Sequence, residues 1–133
     1  IKVLSSAVTD IIDMTSIALI ENDLGLAIRI EPLEQIIDKL KYKMKSNHIK
    51  RLQDSNCTIE LGFIFSDFIT NCERAADHCS NIALTVIDAH HRDMNAHIAV
   101  RQLKHTGTAF VEAYQAYADK YHLQHNPADT YCG

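Results

Sequence analysis

The sequence predicts an all-α fold: an antiparallel bundle of three long helices followed by shorter C-terminal helices. Three observations carry that prediction. The 133 residues include only four glycines and two prolines, too little turn chemistry for a many-stranded sheet. Apolar side chains recur at steps of three and four over long stretches, the period of a helix that buries one side. The most regular stretch, from Leu61 to Val86, keeps its step for about four heptads, which suits near-antiparallel packing at roughly 20°. By length the chain is one domain with room for a real core.

The elements are justified in chain order. Residues 2–22 place Leu4, Val8, Ile11 and Ala18 on one helical stripe, interrupted by Thr15, and "NDLG" then supplies turn residues. A second helix runs through Leu26, Ile30, Leu33, Ile37, Leu40 and Met44 and fades near Leu52. Pro32 falls inside that pattern. It removes a backbone donor and crowds the carbonyl of Ile28, so a kink is expected there; a helix restarting with proline in its first turn is the alternative. "QDSNC" breaks the chain again, and Ser55, Asn56 or Thr58 can cap the next helix. That third helix carries the seam Leu61, Phe65, Phe68, Cys72, Ala75, Cys79, Ile82 and Val86, which packs on the first two helices. After Ile87 the pattern loosens, resumes near residues 94–104, and is expected to end at Gly107. A final helix from about Thr108 to Leu123 presents Phe110, Tyr114, Tyr117 and Tyr121 as a packing stripe. Residues 1–123 thus form the domain, and residues 124–133 a flexible tail.

A formal charge of −4 and a pI near 6.0 exclude a global field for nucleic acid or an anionic membrane. The run "KLKYKMKSNHIKR" spreads its lysines around a helix and reads as a solvated face. Cys57, Cys72, Cys79 and Cys132 form no CxxC pair, which points to reduced thiols and a cytosolic compartment. Apolar runs of only a few residues offer no transmembrane span, and no leader is apparent. A start at Ile1, already within an amphipathic pattern, reads as a domain excised from a larger protein.

The stretch "NCERAADHCSNIA", residues 71–83, sets polar groups beside the packing face. Ser66, Thr70, Glu73, Asp77 and Asn81 form a stripe along the seam, with Glu73 and Asp77 one turn apart. Glu34 and Asp38 repeat that E-x-x-x-D spacing on the second helix. Like charges so placed repel unless a cation stands between them, and four carboxylates converging from two helices suit hard, oxygen-preferring cations. Neither Glu34 nor Glu73 begins the Glu-x-x-His of a di-iron oxidase, and HExxH, GxSxG and phosphate-binding glycine loops are absent. No cluster of arginines points to phosphate. His90 and His91 diverge on a helix, His122 and His125 fall near the tail, and Asp93 and His97 read as solvated surface.

The run "ERAADHCSNIA" resembles the E-R-x-x-D-H-x-x-N-I-A signature of the PhoU family. The chain is most similar to the PhoU-like domain at the cytoplasmic C-terminus of bacterial Na+/phosphate cotransporters. There an E-x-x-I-D helix, here "EQIID" at residues 34–38, precedes a segment like "HIKRLQDSNCTIELGFIFSDFITNCERAADHCSNIA", and the likeness spans roughly residues 5–123. The resemblance implies a PhoU-like bundle with spectrin-like packing, and metal ions, iron or zinc among them, held on its surface by Glu34, Asp38, Glu73 and Asp77. His78 is a candidate additional ligand. Arg74 and Asn81 also match the signature and are assigned, with His78, to helix–helix hydrogen bonds. PhoU proteins proper carry two such repeats and this chain carries one, so a homodimer would supply the other half. The implied function is regulatory and non-enzymatic: modulation of phosphate uptake or signalling at the cytoplasmic side of the bacterial inner membrane. Its implied partners are the membrane-embedded transporter portion of the same protein and a phosphate-signalling protein, with no nucleic acid. A carboxylate-bridged metalloenzyme and a purely structural dimerisation module remain the alternatives.

Overall fold

A computed structural model describes residues 1–92 and 96–121, with side chains for 1–92 and 107–121. The 124–133 tail, Asp93, and the side chains of His97, His122 and His125 lie outside the described residues. Five helices succeed one another: α1 (Lys2–Glu21), α2 (Leu24–Ile28), α3 (Ile30–Gln53), α4 (Ile59–Arg92) and α5 (Ala96–Lys120). No strand occurs among the described residues, so the all-α expectation holds.

α1 ends at Asn22, whose left-handed φ of 52° is one that asparagine tolerates better than most residues. Asp23 then caps α2, its carboxylate accepting the Leu26 N–H at 3.0 Å. α2 is a single turn that stops at Arg29, and α3 begins at Ile30 with Pro32 buried in its first turn. The expected kink is therefore a restart. The first turn of a helix needs no intrahelical acceptor for its N–H groups, so proline costs nothing there, whereas inside a continuous helix it would strand a carbonyl. α3 ends in a tight turn through Ser55 (φ 57°), and Thr58 caps α4 by accepting the Leu61 N–H at 3.3 Å.

α1, α3 and α4 pack mutually around a core that includes Leu4, Ile11, Ile30, Leu33, Ile36 and Ile69. Of the expected seam on α4, Cys72, Cys79 and Val86 are buried, but Leu61 is 57% and Ile82 37% exposed. The buried row is instead Ile69, Cys72, Ala76, Cys79, Ala83 and Val86, with Gly62 and Ser80 beside it. The packing face thus keeps Cys72, Cys79 and Val86 but turns by part of a residue step, so that Ile69, Ala76 and Ala83 take the places expected of Phe68, Ala75 and Ile82. α4 lies against two helices at once, and small side chains such as Gly62, Ala76 and Ala83 let the backbones approach; a count of large apolar residues finds the edges of that face rather than its centre. At one tight point a Cβ on Gly62 would lie 3.0 Å from His48 Nε2. That imidazole is 8% exposed, lies against Phe65 at a centroid distance of 4.7 Å, and among the described residues leaves Nε2 without a hydrogen-bond partner.

α5 packs chiefly on α3 and runs unbroken through Gly107, where two helices were expected. A solvent-facing glycine costs a helix only about 1 kcal/mol relative to alanine, too little to end one by itself. Its aromatic stripe packs as expected. Phe110 stacks on Tyr114 and Tyr114 meets Lys39, while the Tyr117 hydroxyl reaches Met14 Sδ at 3.5 Å. Tyr121 is buried and donates to Asp10 on α1, which Lys120 also holds at 2.7 Å.

α1 differs from expectation in one further respect: it is long and apolar enough to cross a membrane by length and composition. Serines, threonines and Asp13 break its apolar residues into short runs, which hides their total. In this fold Leu4, Ala7, Ile11 and Ala18 are fully buried in the core, while Ile12, Leu19 and Ile20 are exposed.

Candidate functional site

Residues three and four apart share a helix face. On α3 that spacing links Glu31, Glu34, Asp38 and Lys41, and on α4 it links Glu73, Asp77 and Ser80. The two rows meet in opposite order. Ser80 Oγ donates to Glu31 Oε2, Glu34 lies within electrostatic reach of Asp77, and Lys41 donates to Glu73 Oε1. The four carboxylates predicted as ligands, Glu34, Asp38, Glu73 and Asp77, therefore do lie along one α3/α4 face.

A residue that was not predicted dominates that face. Lys41 is 6% exposed, and its Nζ lies 2.6 Å from Asp38 Oδ1 while also pairing with Glu73 of the facing helix. Burial pulls the ammonium down, but hydrogen bonds from Asp38 and Glu73 outweigh it and hold Lys41 well above the usual lysine range. Glu34 also shifts upward, which for a carboxylate disfavours the charged form. Burial, then the charges of Glu31, Asp38 and Asp77, push its carboxyl above the usual glutamate range, and Lys41 only partly opposes them. The spacing that places Lys41 in the acidic row was readable: it lies three residues after Asp38 and seven after Glu34. Treating it as one of a run of scattered lysines obscured this. Glu31 was missed because the α3 row was traced only through Glu34 and Asp38, and Ser80 because the α4 stripe was continued from Asp77 to Asn81 instead.

The iron or zinc implied by the resemblance does not fit the face as it stands. Among the described residues no group of three or more His, Cys, Asp or Glu side chains is placed to hold a metal ion, and an ammonium occupies the space between Asp38 and Glu73. Arg74, His78 and Asn81 are exposed on α4, turned away from the core, and among the described residues their side chains make no hydrogen bond to another helix. Their assignment to helix–helix hydrogen bonds is thereby corrected. The shifted packing face carries all three outward.

Comparison with known proteins gives two findings. A family profile described as the PhoU domain matches residues 1–86. The phosphate-specific transport system accessory protein PhoU homolog 1 of Thermotoga maritima is 29% identical over 70 residues, which cover 53% of this chain and 30% of the relative. The chain thus accounts for less than a third of that relative's length. No solved structure matches it.

Proposed function

The chain belongs to the PhoU family, and from that premise we propose that it is a non-catalytic regulatory domain of phosphate transport, acting on the cytoplasmic side of a bacterial inner membrane. The observation that carries this is the profile match over residues 1–86, which includes the whole of α1, α2 and α3 and most of α4. The relative's printed role as an accessory protein of phosphate transport supports regulation rather than turnover. The finer context, a domain attached to a Na+/phosphate cotransporter, draws support from the likeness of "EQIID" and "HIKRLQDSNC" to that subgroup.

Such a domain acts by contact. Where α1 starts, α3 stops and α4 begins, a cleft of about 360 Å³ is lined by Ile1, Arg51, Leu61, Ile64, Phe65 and Phe68. Of these, Leu61 and Ile64 expose most of their surface, and clustered exposed apolar residues mark interaction sites. We assign this end to the membrane-embedded transporter portion or a phosphate-signalling protein. A test is phosphate uptake by cells whose gene for this chain lacks the coding region for residues 1–121, in phosphate-rich and phosphate-poor medium. The expected result is uptake that no longer falls in rich medium, with capacity in poor medium retained. Unchanged regulation in both media sinks the proposal.

A further inference from the structure

We propose that the Lys41 ammonium is the resident counter-cation of the α3/α4 carboxylate rows, filling the role that a bound metal ion was expected to fill. The inference rests on side-chain geometry and is independent of the regulatory proposal. Carboxylates placed one turn apart on a helix repel, and two such pairs facing each other across an interface compound the effect. Something positive must stand among them, and Lys41 does: it bonds Asp38 on its own helix and Glu73 on the next. Lysine is almost never this buried unless paired, so its 6% exposure marks a built position rather than a surface side chain that has folded over.

The same geometry disfavours a metal. An iron or zinc ion takes bare carboxylate oxygens at about 2.0–2.2 Å, so it would have to displace an ammonium already within hydrogen-bond distance of two of the four carboxylates. Ser80 engages Glu31, which leaves Glu34 and Asp77 as the carboxylates without a donor along the rows. Two monodentate carboxylates make a poor site for a cation that takes four or more ligands. The raised Glu34 carboxyl agrees with an acidic face whose single cation is engaged by its other members.

Thermal melts of the 133-residue chain test this in two arms. With chelator present, Lys41→Met is expected to melt about 5 °C below wild type. Lys41→Arg, which keeps the charge, should melt above Lys41→Met. Adding Glu73→Gln to Lys41→Met should recover part of the loss, because it removes the carboxylate left unpaired. If Lys41→Met melts with wild type, or Glu73→Gln lowers it further, the proposal is overturned. The second arm adds Zn2+ or Fe3+ to wild type and to Glu34→Gln/Asp77→Asn, and the expected shift is the same in both. A rise in wild type that the double variant lacks would put a metal ion on the carboxylates and overturn the proposal even if Lys41→Met proves unable to fold.

Discussion

Gly62 and Gly107 are both helical glycines, yet their replacement by alanine is expected to act in opposite directions. Among the described residues nothing lies within 4 Å of a Cβ at Gly107, so Gly107→Ala gains helix propensity, about 0.5–1 kcal/mol. At Gly62 the same gain meets His48 Nε2 at 3.0 Å, so the added methyl must push aside a ring that Phe65 and Arg51 hold. Gly62→Ala should therefore destabilise by about 1 kcal/mol, toward the low end of overpacking costs. Denaturant midpoints at constant slope check both signs. Ala75 and Ala76 form a second pair. Ala76 is 1% exposed against the core and Ala75 stands at its edge, so Ala76→Leu should cost about 1–3 kcal/mol and Ala75→Leu far less. The sequence pattern points to the opposite order, since a heptad count that starts from Leu61 lands on Ala75. What could be read residue by residue was the identity of the acidic rows. What could not was the neighbour each residue meets, because Lys41, Glu31 and Ser80 acquire their roles only when α3 and α4 are set side by side.

At the scale of elements, the long apolar-periodic stretches were legible and their junctions were not. Periodicity located α1, α3 and α4 to within a few residues, because each buries a full stripe. It does not say whether Pro32 bends a helix or begins one, since both keep the same residues apolar. Nor does it say whether Gly107 ends a helix, since that depends on where α5 docks. The junctions themselves make a testable contrast. Ser55 and Asn22 both hold left-handed φ values, but only asparagine bears that conformation readily. Ser55→Gly should stabilise by up to about 1 kcal/mol, the relief of strain exceeding the entropy added to the unfolded chain, while Asn22→Gly should be near neutral. Equal shifts in the two melting temperatures would show that strain at the α3–α4 turn is not what distinguishes them.

For the whole molecule, acid acts on two separate carboxylates, Asp10 and Glu34, with opposite sign. Hydrogen bonds from Lys120, then Tyr121, hold the Asp10 carboxyl below the usual carboxylate range, and they tie α5 to α1. Burial, then the bond to Asp10, pushes the Tyr121 phenol up to about 12, so it remains a donor throughout the working range. A lowered folded value means that the tie stabilises fully above the unfolded aspartate value of about 3.9 and is lost as pH falls through the folded one. Glu34 is raised instead, so its contribution is fullest below its unfolded value of about 4.3 and is lost as pH rises through the folded one. Asp10→Asn should thus melt below wild type at pH 7 and Glu34→Gln above it, and both gaps should close in acid. Melting curves from pH 7 downward decide it; a Glu34 gap that persists well below about pH 4.3, or an Asp10 gap that does not shrink as pH falls below about 3.9, would refute the linkage.

The apolar content of α1 has a consequence in time rather than in space. A ribosome makes residues 2–21 before residues 30–92, and at ordinary rates of synthesis the interval lasts several seconds. During it the nascent chain displays a segment that meets the length and composition of a bilayer span, with none of its permanent neighbours yet in existence. Burial of Leu4, Ala7, Ile11 and Ala18 therefore has to wait until α3 and α4 have been made. Ser5, Ser6, Thr9, Asp10 and Asp13 lie between residues 5 and 13 of the helix, and such polar and charged groups weaken the attraction of an apolar segment to lipid.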